Sequence, residues 1–192
     1  MLNDKLEHKK EEEEKINYPE KICSLIRKLQ SIEFAYNSSH IDRESYIKET
    51  NIILEQYEIA KNAYPEYEGL DNFVKNYKLE DCSLAINRLK EEITIQKMTQ
   101  YFDDLNVLLD SEPETLCVAD IIQIYRELCN SIEGLKNLIN LQHEDIKKIR
   151  QCYLNLRNNR EAGEILQDEE IKQMKKDLEI ANSTITKQLS SS

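Results

Sequence analysis

The residue types with the most potential for chemistry form one compact group, His143-Glu144-Asp145. Histidine and carboxylate side chains are common metal ligands and general acids or bases. The three residues are consecutive, so on a helix they point to different sides, and no second histidine lies nearby in the sequence. Acidic residues are favourable in the first turn of a helix, where they interact with its positive end. We therefore interpret the group as the polar start of a helix.

Cysteines are the other candidates for chemistry, and there are five: Cys23, Cys82, Cys117, Cys129 and Cys152. Their odd number and wide spacing fit reduced, mostly buried thiols of a cytosolic protein better than a disulfide framework. A thiol hydrolase using one of the three histidines stays a minor alternative without a local signature. The chain has no GxGxxG, P-loop or HExxH motif, and three glycines cannot build a phosphate-binding loop. We predict a protein that is not an enzyme, with no catalytic residue, metal or cofactor.

Composition and charge narrow the class of protein further. Three glycines, three prolines and 33% charged residues among 192 are typical of a helical protein. The net charge of −11 argues against nucleic-acid binding and against broad adhesion to anionic membranes. No stretch approaches the roughly 20 apolar residues that span a bilayer, and the N-terminus has no apolar signal region. The sequence predicts a soluble, acidic, intracellular protein of the all-α class.

Two stretches near the N-terminus have the periodicity of an antiparallel helical hairpin. Apolar residues repeat at alternating steps of three and four over residues 22–36, and again over residues 46–64. The pattern stops at residues 37–41, and Asp42 is positioned to cap the second helix. Two helices of about 18 residues can cover only one side of each other. Either a partner helix completes this core, or residues 70–92 of the same chain do.

The second half of the chain contains three further amphipathic stretches. The strongest covers residues 118–139 with Gly134 inside it, and the others cover 146–156 and 168–189. Residues 96–116 show weaker periodicity and include a loop sequence at 111–114. The expected architecture, in chain order, is a charged lead-in (1–17), a hairpin domain with a short third helix (18–95), a linker with enough apolar residues for an extra helix (96–116), and a C-terminal bundle of three to four helices (117–192).

Several pieces of the sequence resemble one known family. The segments LIRKLQSIEFAY, LDNFVKNYKLEDCSLAINRLKEEITI and CVADIIQIYRELCNSIEGLKNL are similar to the vacuolar protein sorting-associated protein 28 family, a core subunit of the ESCRT-I complex. The similarity covers about residues 18–95 and 117–189, and its most specific parts are LAINRL at residues 84–89, with Asp81-Cys82 before it, and the order of the two domains. The stretch between Leu156 and Asp168 departs from the family, because it is too short for the further amphipathic helix that usually lies there.

This resemblance implies a role and a set of partners. In the family the hairpin is one of three helical pairs of the ESCRT-I headpiece, beside those of a ubiquitin-binding tumour-susceptibility-type subunit and a protein 37-type subunit. The C-terminal bundle recruits ESCRT-II or ESCRT-III. The implied function is non-enzymatic scaffolding in the sorting of ubiquitinated cargo to multivesicular bodies. The implied location is the cytoplasm and the periphery of endosomal membranes. Nucleic acid is not an expected partner, and contact with membranes is expected to be only indirect.

The resemblance assigns the headpiece role to the apolar seams of the hairpin, braced by the LAINRL piece. The predicted core-assembly residues are Leu25, Leu29, Ile32, Tyr36, Tyr46, Ile53, Leu54, Tyr57, Leu84, Ala85, Ile86 and Leu89. The competing hypothesis is a stand-alone helical adaptor or a coiled-coil homodimer that is unrelated to ESCRT.

Overall fold

The computed structural model describes residues 17–111 and 115–191 of the chain. Within these residues all regular elements are helices, so the all-α prediction is confirmed. Residues 1–16 of the predicted lead-in, residues 112–114 of the predicted loop, and Ser192 lie outside the described residues. The helices are α1 (Tyr18–Asn37), α2 (Arg43–Asn62), α3 (Leu70–Asn76), α4 (Ser83–Asp110), α5 (Val118–Gly134), α6 (Glu144–Asn159) and α7 (Asp168–Ser191).

Two compact units divide the chain, with limits that differ from the predicted domains. The first unit ends at Lys90, and the second begins at Glu91. Helix α4 therefore begins in the first unit and ends in the second. The division falls five residues before the expected end of the hairpin domain at residue 95, inside a continuous helix. The domain limits given above stay a prediction.

The turn of the hairpin is built from a Schellman motif at the end of α1. The N–H of His40 donates to the Ala35 carbonyl at 2.8 Å, and the N–H of Ser39 donates to the Tyr36 carbonyl at 2.9 Å. Ser39 has a φ of 57°, the left-handed conformation that this motif requires. These bonds satisfy carbonyls that a helix end leaves without partners, and they turn the chain toward α2.

Helix α2 starts where the sequence predicts it. Asp42 is the N-cap, and its Oδ1 accepts a hydrogen bond of 2.8 Å from the backbone N–H of Ser45. Its Oδ2 also accepts a bond from the Ser45 hydroxyl at 3.1 Å. These bonds lower the pKa of the Asp42 carboxyl, because they stabilise its charged form. The predicted cap is confirmed, since capping depends on residues that are neighbours in sequence.

The core of the first unit contains residues from α3 and α4 as well as from the hairpin. Its largest fully buried side chains from the hairpin are Ile22, Ile26, Leu29, Ile53 and Tyr57. Leu70, Phe73, Val74, Leu79, Ala85 and Leu89 are buried with them in the same unit. The side-chain Oε1 of Gln30 on α1 accepts a hydrogen bond from the N–H of Ala85 on α4 at 3.1 Å. Residues 70–89 of the same chain thus contribute to the core that the hairpin alone lacks.

The core of the second unit includes the stretch that the sequence suggested as a linker. Met98, Phe102, Leu105 and Leu109 on α4 are buried in one cluster with residues of α5, α6 and α7. Residues 96–110 are therefore helical, but they continue α4 and do not form a separate helix. With this part of α4, four helices contribute to the second core.

Helix α5 is shorter than its apolar pattern suggests. The pattern runs to Ile139, but the helix ends at Gly134, and Leu135 and Ile139 are buried in the turns that follow. Glycine has a low helix propensity, and here it also allows a close approach. A Cβ added at Gly134 would lie 3.3 Å from Cγ2 of Thr94 on α4. The apolar spacing correctly indicated that Leu135 and Ile139 are buried, but the helix ends before both of them.

The short stretch between α6 and α7 is held by polar contacts. Residues 160–167 form no helix in this described part of the chain. The guanidinium of Arg160 donates to both Glu170 carboxylate oxygens, at 2.5 and 3.4 Å, and also pairs with Glu164. The backbone N–H of Val118 donates to the Glu164 carbonyl at 3.0 Å. The bidentate pair ties the loop to α7, and the backbone bond from Val118 ties it to α5.

Candidate functional site

The predicted core-assembly residues all lie inside the first unit, and none of them is fully exposed. The half-buried residues are Ile32, Tyr36, Tyr46, Leu84 and Ile86. The buried ones are Leu25, Leu29, Ile53, Leu54, Tyr57, Ala85 and Leu89. A buried side chain holds its own unit together and leaves little surface for another protein. Direct partner contact by these residues stays a prediction, and the half-buried set is the part of it that is accessible.

A second set of apolar residues lies outside the predicted site and is exposed. Among the described residues of the first unit it comprises Phe34, Ile47, Ile52, Ile59 and Tyr77. Ile52 and Ile59 are 37% and 58% exposed on α2. They are seven residues apart, so both lie on the same side of the helix after two turns. We call Ile52 and Ile59 the outer stripe of α2; their heptad spacing was the signal in the sequence that could have found it.

At the turn of the hairpin, two predicted site residues stack on each other. The rings of Tyr36 on α1 and Tyr46 on α2 lie 4.1 Å apart between centroids, with an interplanar angle of 14°. The Tyr46 hydroxyl also donates to Oε1 of Glu33 at 2.8 Å. Aromatic pairs of this kind contribute about 0.5–1.5 kcal/mol beyond their buried area. The two contacts connect the end of α1 to the start of α2.

Glu33 is a buried carboxyl group in this cluster. Burial raises its pKa above the ordinary value of 4.5, and the Tyr46 hydrogen bond and the positive charge of Arg88 act in the opposite direction. Burial, together with the neighbouring Glu33, raises the pKa of Tyr46 to about 12. Arg88 belongs to the LAINRL piece on α4, so the cluster combines polar groups of three helices. A buried carboxyl held in this way orients the helices that supply its partners.

The raised pKa of Glu33 predicts a pH-dependent effect of Glu33→Gln. A folded-state pKa above the unfolded value means that the stability due to this group is full below about pH 4.5 and is lost as the pH rises through the folded pKa. Glutamine cannot lose a proton, so the variant should gain stability relative to the wild type as the pH rises above about 4.5 and through the raised pKa of Glu33. Urea unfolding at several pH values measures this. The exposed Glu55→Gln is the control, and parallel curves for Glu33→Gln and wild type would contradict the prediction.

One residue considered for catalysis caps a helix, and two of the cysteines are packed against the core of the second unit. His143 is the N-cap of α6, and its Nδ1 accepts a hydrogen bond from the N–H of Asp145 at 3.4 Å. Burial raises the pKa of the Cys129 thiol to about 12 and that of the Cys152 thiol to about 11. These shifts favour the thiol over the nucleophilic thiolate.

The described residues contain neither a candidate metal cluster nor a candidate membrane span. No group of three or more His, Cys, Asp or Glu side chains could hold a metal ion in the described part of the chain. Within residues 17–111 and 115–191 no helix combines the length and apolar character needed to cross a membrane.

Comparison with known proteins connects this hairpin to one family. A family model described as VPS28 protein matches residues 20–125. The match covers the helices of the first unit, all of α4 and the beginning of α5. No solved structure matches the chain. Because more than half of the chain fits the family model, the chain belongs to the VPS28 family of ESCRT-I subunits.

Proposed function

We propose that the chain is a non-enzymatic scaffold subunit of ESCRT-I that acts in the sorting of ubiquitinated cargo to multivesicular bodies. The family match over residues 20–125 is the observation that carries this proposal. It includes every helix of the first unit, the unit to which the resemblance assigns the headpiece role. The proposed partners are the tumour-susceptibility-type and protein 37-type subunits. The proposed location is the cytoplasm and the periphery of endosomal membranes.

The second unit has a separate part in the proposal. It is the region to which the resemblance assigns recruitment of ESCRT-II or ESCRT-III. The family match extends only to residue 125, so this part rests mainly on the resemblance. A well-packed core supports it, because a rigid bundle can present a recruiting surface.

The outer stripe of α2 is the surface that we propose for partner contact in the first unit. Ile52 and Ile59 are apolar, accessible and correctly spaced for packing against another helix. Single exposed apolar residues are common on protein surfaces, whereas two on one face of a helix form a stripe that a partner helix can cover. In this proposal the buried seam residues keep the hairpin rigid. The half-buried Tyr36 and Tyr46 extend the contact at the turn.

Affinity isolation of the tagged full-length protein tests the proposed function. We expect the other two core subunits of ESCRT-I to co-purify in a defined complex. Light scattering of the purified chain tests the competing hypothesis of a stand-alone adaptor or homodimer. A stable monomer or homodimer that does not bind those subunits would contradict the proposal.

The double substitution Ile52→Glu/Ile59→Glu tests the outer stripe. Burying two carboxylates against a partner helix is unfavourable, so capture of the core subunits should fall by about tenfold or more. The thermal unfolding midpoint should change little, because both residues are exposed in the chain itself. Quantitative pull-down and circular dichroism measure the two effects.

A matched pair on α1 serves as the control. Ser24 and Ser31 are exposed and are also seven residues apart, so Ser24→Glu/Ser31→Glu adds the same charge with the same spacing. Capture should stay within about twofold of the wild type for this pair. Loss of capture by the serine pair alone would place the contact on α1 and refute the stripe.

A further inference from the structure

A groove of about 470 Å³ lies in the second unit, between α5 and α6. Its apolar lining includes Ile132 of α5, and Ile146, Ile149, Tyr153 and Leu154 of α6. Leu154 is 39% exposed. The volume is within the range of about 300–1,000 Å³ that is usual for ligand sites. The groove can therefore accept several apolar side chains.

Cationic side chains border the same groove. Lys147, Arg150 and Arg157 line it from α6, and Glu133 is its acidic lining residue. Lys147 pairs with Glu144 on its own helix at 3.1 Å. Neither Arg150 nor Arg157 forms an ion pair with another residue in the part of the chain that the structure describes. Two guanidinium groups thus remain available beside an open apolar surface.

The spacing of these residues matches a helical ligand. Arg150, Leu154 and Arg157 are separated by four and three residues, so they lie on one face of α6. The rise of an α-helix places Arg150 and Arg157 about 10.5 Å apart along the axis. Carboxylates two turns apart on a second helix have the same separation. A helix lying along α6 could pair with both guanidinium groups and insert an apolar side chain near Leu154.

The charge of the groove contrasts with that of the whole chain. The protein has a net charge of −11, whereas the groove lining has three cations and one acid. An isolated cation on a helix face is ordinarily a solvated surface group. Arg157 also lies in the last turn of α6, where a positive charge stabilises the helix. Neither explanation accounts for unpaired arginines on both sides of an exposed leucine in an open groove.

We infer that the groove between α5 and α6 binds an acidic amphipathic helix of a partner protein. The apolar face of that helix enters the groove, and its carboxylates pair with Arg150 and Arg157. This inference deepens the recruiting part of the proposed function, since it gives the chemistry of the segment recruited. Arginine–carboxylate pairs at the rim of the groove provide specificity and fast association, and the apolar contact provides affinity.

Fluorescence anisotropy with a designed peptide tests this inference on the full-length chain. The probe is a labelled amphipathic helix with leucines at every third or fourth position and glutamates beside them. The comparison peptide has lysine in place of each glutamate. We expect the acidic peptide to bind, with an affinity that falls as salt is added, and the lysine peptide not to bind.

Two charge-reversed variants locate the binding. Arg150→Glu/Arg157→Glu should weaken the binding of the acidic peptide by about tenfold or more. Lys136→Glu/Lys176→Glu removes two exposed cations that do not line the groove, and it changes the net charge equally. Binding by this control pair should stay within about twofold of the wild type. Circular dichroism confirms that both variants keep the helical fold.

Several results would overturn the inference. They are no binding of the acidic peptide at concentrations up to about 1 mM, equal binding of both peptides, or equal losses for both variant pairs. Phosphatidylserine vesicles provide a further arm. Sedimentation with vesicles that depends on Arg150 and Arg157, without peptide binding, would assign the groove to anionic lipid instead. The designed peptide contains no ESCRT-I sequence, so its failure leaves the co-purification result unaffected.

Discussion

Ile53→Asp is expected to destabilise the first unit strongly. Ile53 is 1% exposed on α2, in a core that α1, α3 and the start of α4 also build. The substitution removes apolar contacts and places a carboxylate where no partner can satisfy it. The expected loss is about 3–5 kcal/mol. Folded domains are stable by about 5–15 kcal/mol in total, so a loss of this size removes much of the margin. Circular dichroism and urea unfolding measure the loss.

The neighbouring residue provides a closely matched control. Ile52→Asp makes the same chemical change one position earlier, where the side chain is 37% exposed. It should cost no more than about 1 kcal/mol in the isolated chain. Equal losses of stability for both variants would contradict the orientation of α2, which buries Ile53 and exposes Ile52. The pair also separates two causes of lost assembly, because Ile53→Asp acts through folding and a change at Ile52 acts through the surface.

Phe102→Ala is expected to destabilise the second unit by about 3–5 kcal/mol. Phe102 is 0% exposed and lies in the segment that the sequence suggested as a linker. Removing the ring leaves a cavity among residues of α4 and its packing partners, and the surrounding structure fills such a cavity only in part. Urea unfolding followed by circular dichroism measures the change. A linker phenylalanine in contact with water would give almost no change.

Val107 on the same helix is the control for this substitution. Its side chain is 68% exposed, so Val107→Ala should change stability by less than about 0.5 kcal/mol. Similar effects at positions 102 and 107 would contradict the packing of α4 in the second unit. A large loss at Phe102 alone would support residues 96–110 as part of the core.

Several features of the fold were predictable because they depend on neighbours in sequence. The cap at Asp42 was expected from a side chain that lies within one turn of the helix end, and the start of α7 at Asp168 agrees with the amphipathic stretch predicted over residues 168–189. The polar role of His143 at the start of α6 followed from the same reasoning. Such features depend on hydrogen bonds and charges between residues a few positions apart, so they can be predicted from the local sequence alone.

The candidate site was predictable only in part. The heptad spacing located the hairpin seams, but it could not tell whether another chain or the same chain covers them. Ile52 and Ile53 show the difficulty, because adjacent isoleucines have opposite exposure. The groove between α5 and α6 was missed since its lining comes from two helices and appears only after they pack.

The sequence by itself determined the helical class, the seams of the hairpin and the N-cap at Asp42. These properties follow from local periodicity and from hydrogen bonds between near neighbours. Only the tertiary structure decided that residues 96–110 extend α4 and bury Phe102, and that α5 stops at Gly134. It also decided which apolar side chains remain exposed. The physical reason is that burial depends on contacts between residues far apart in sequence, which local patterns do not encode.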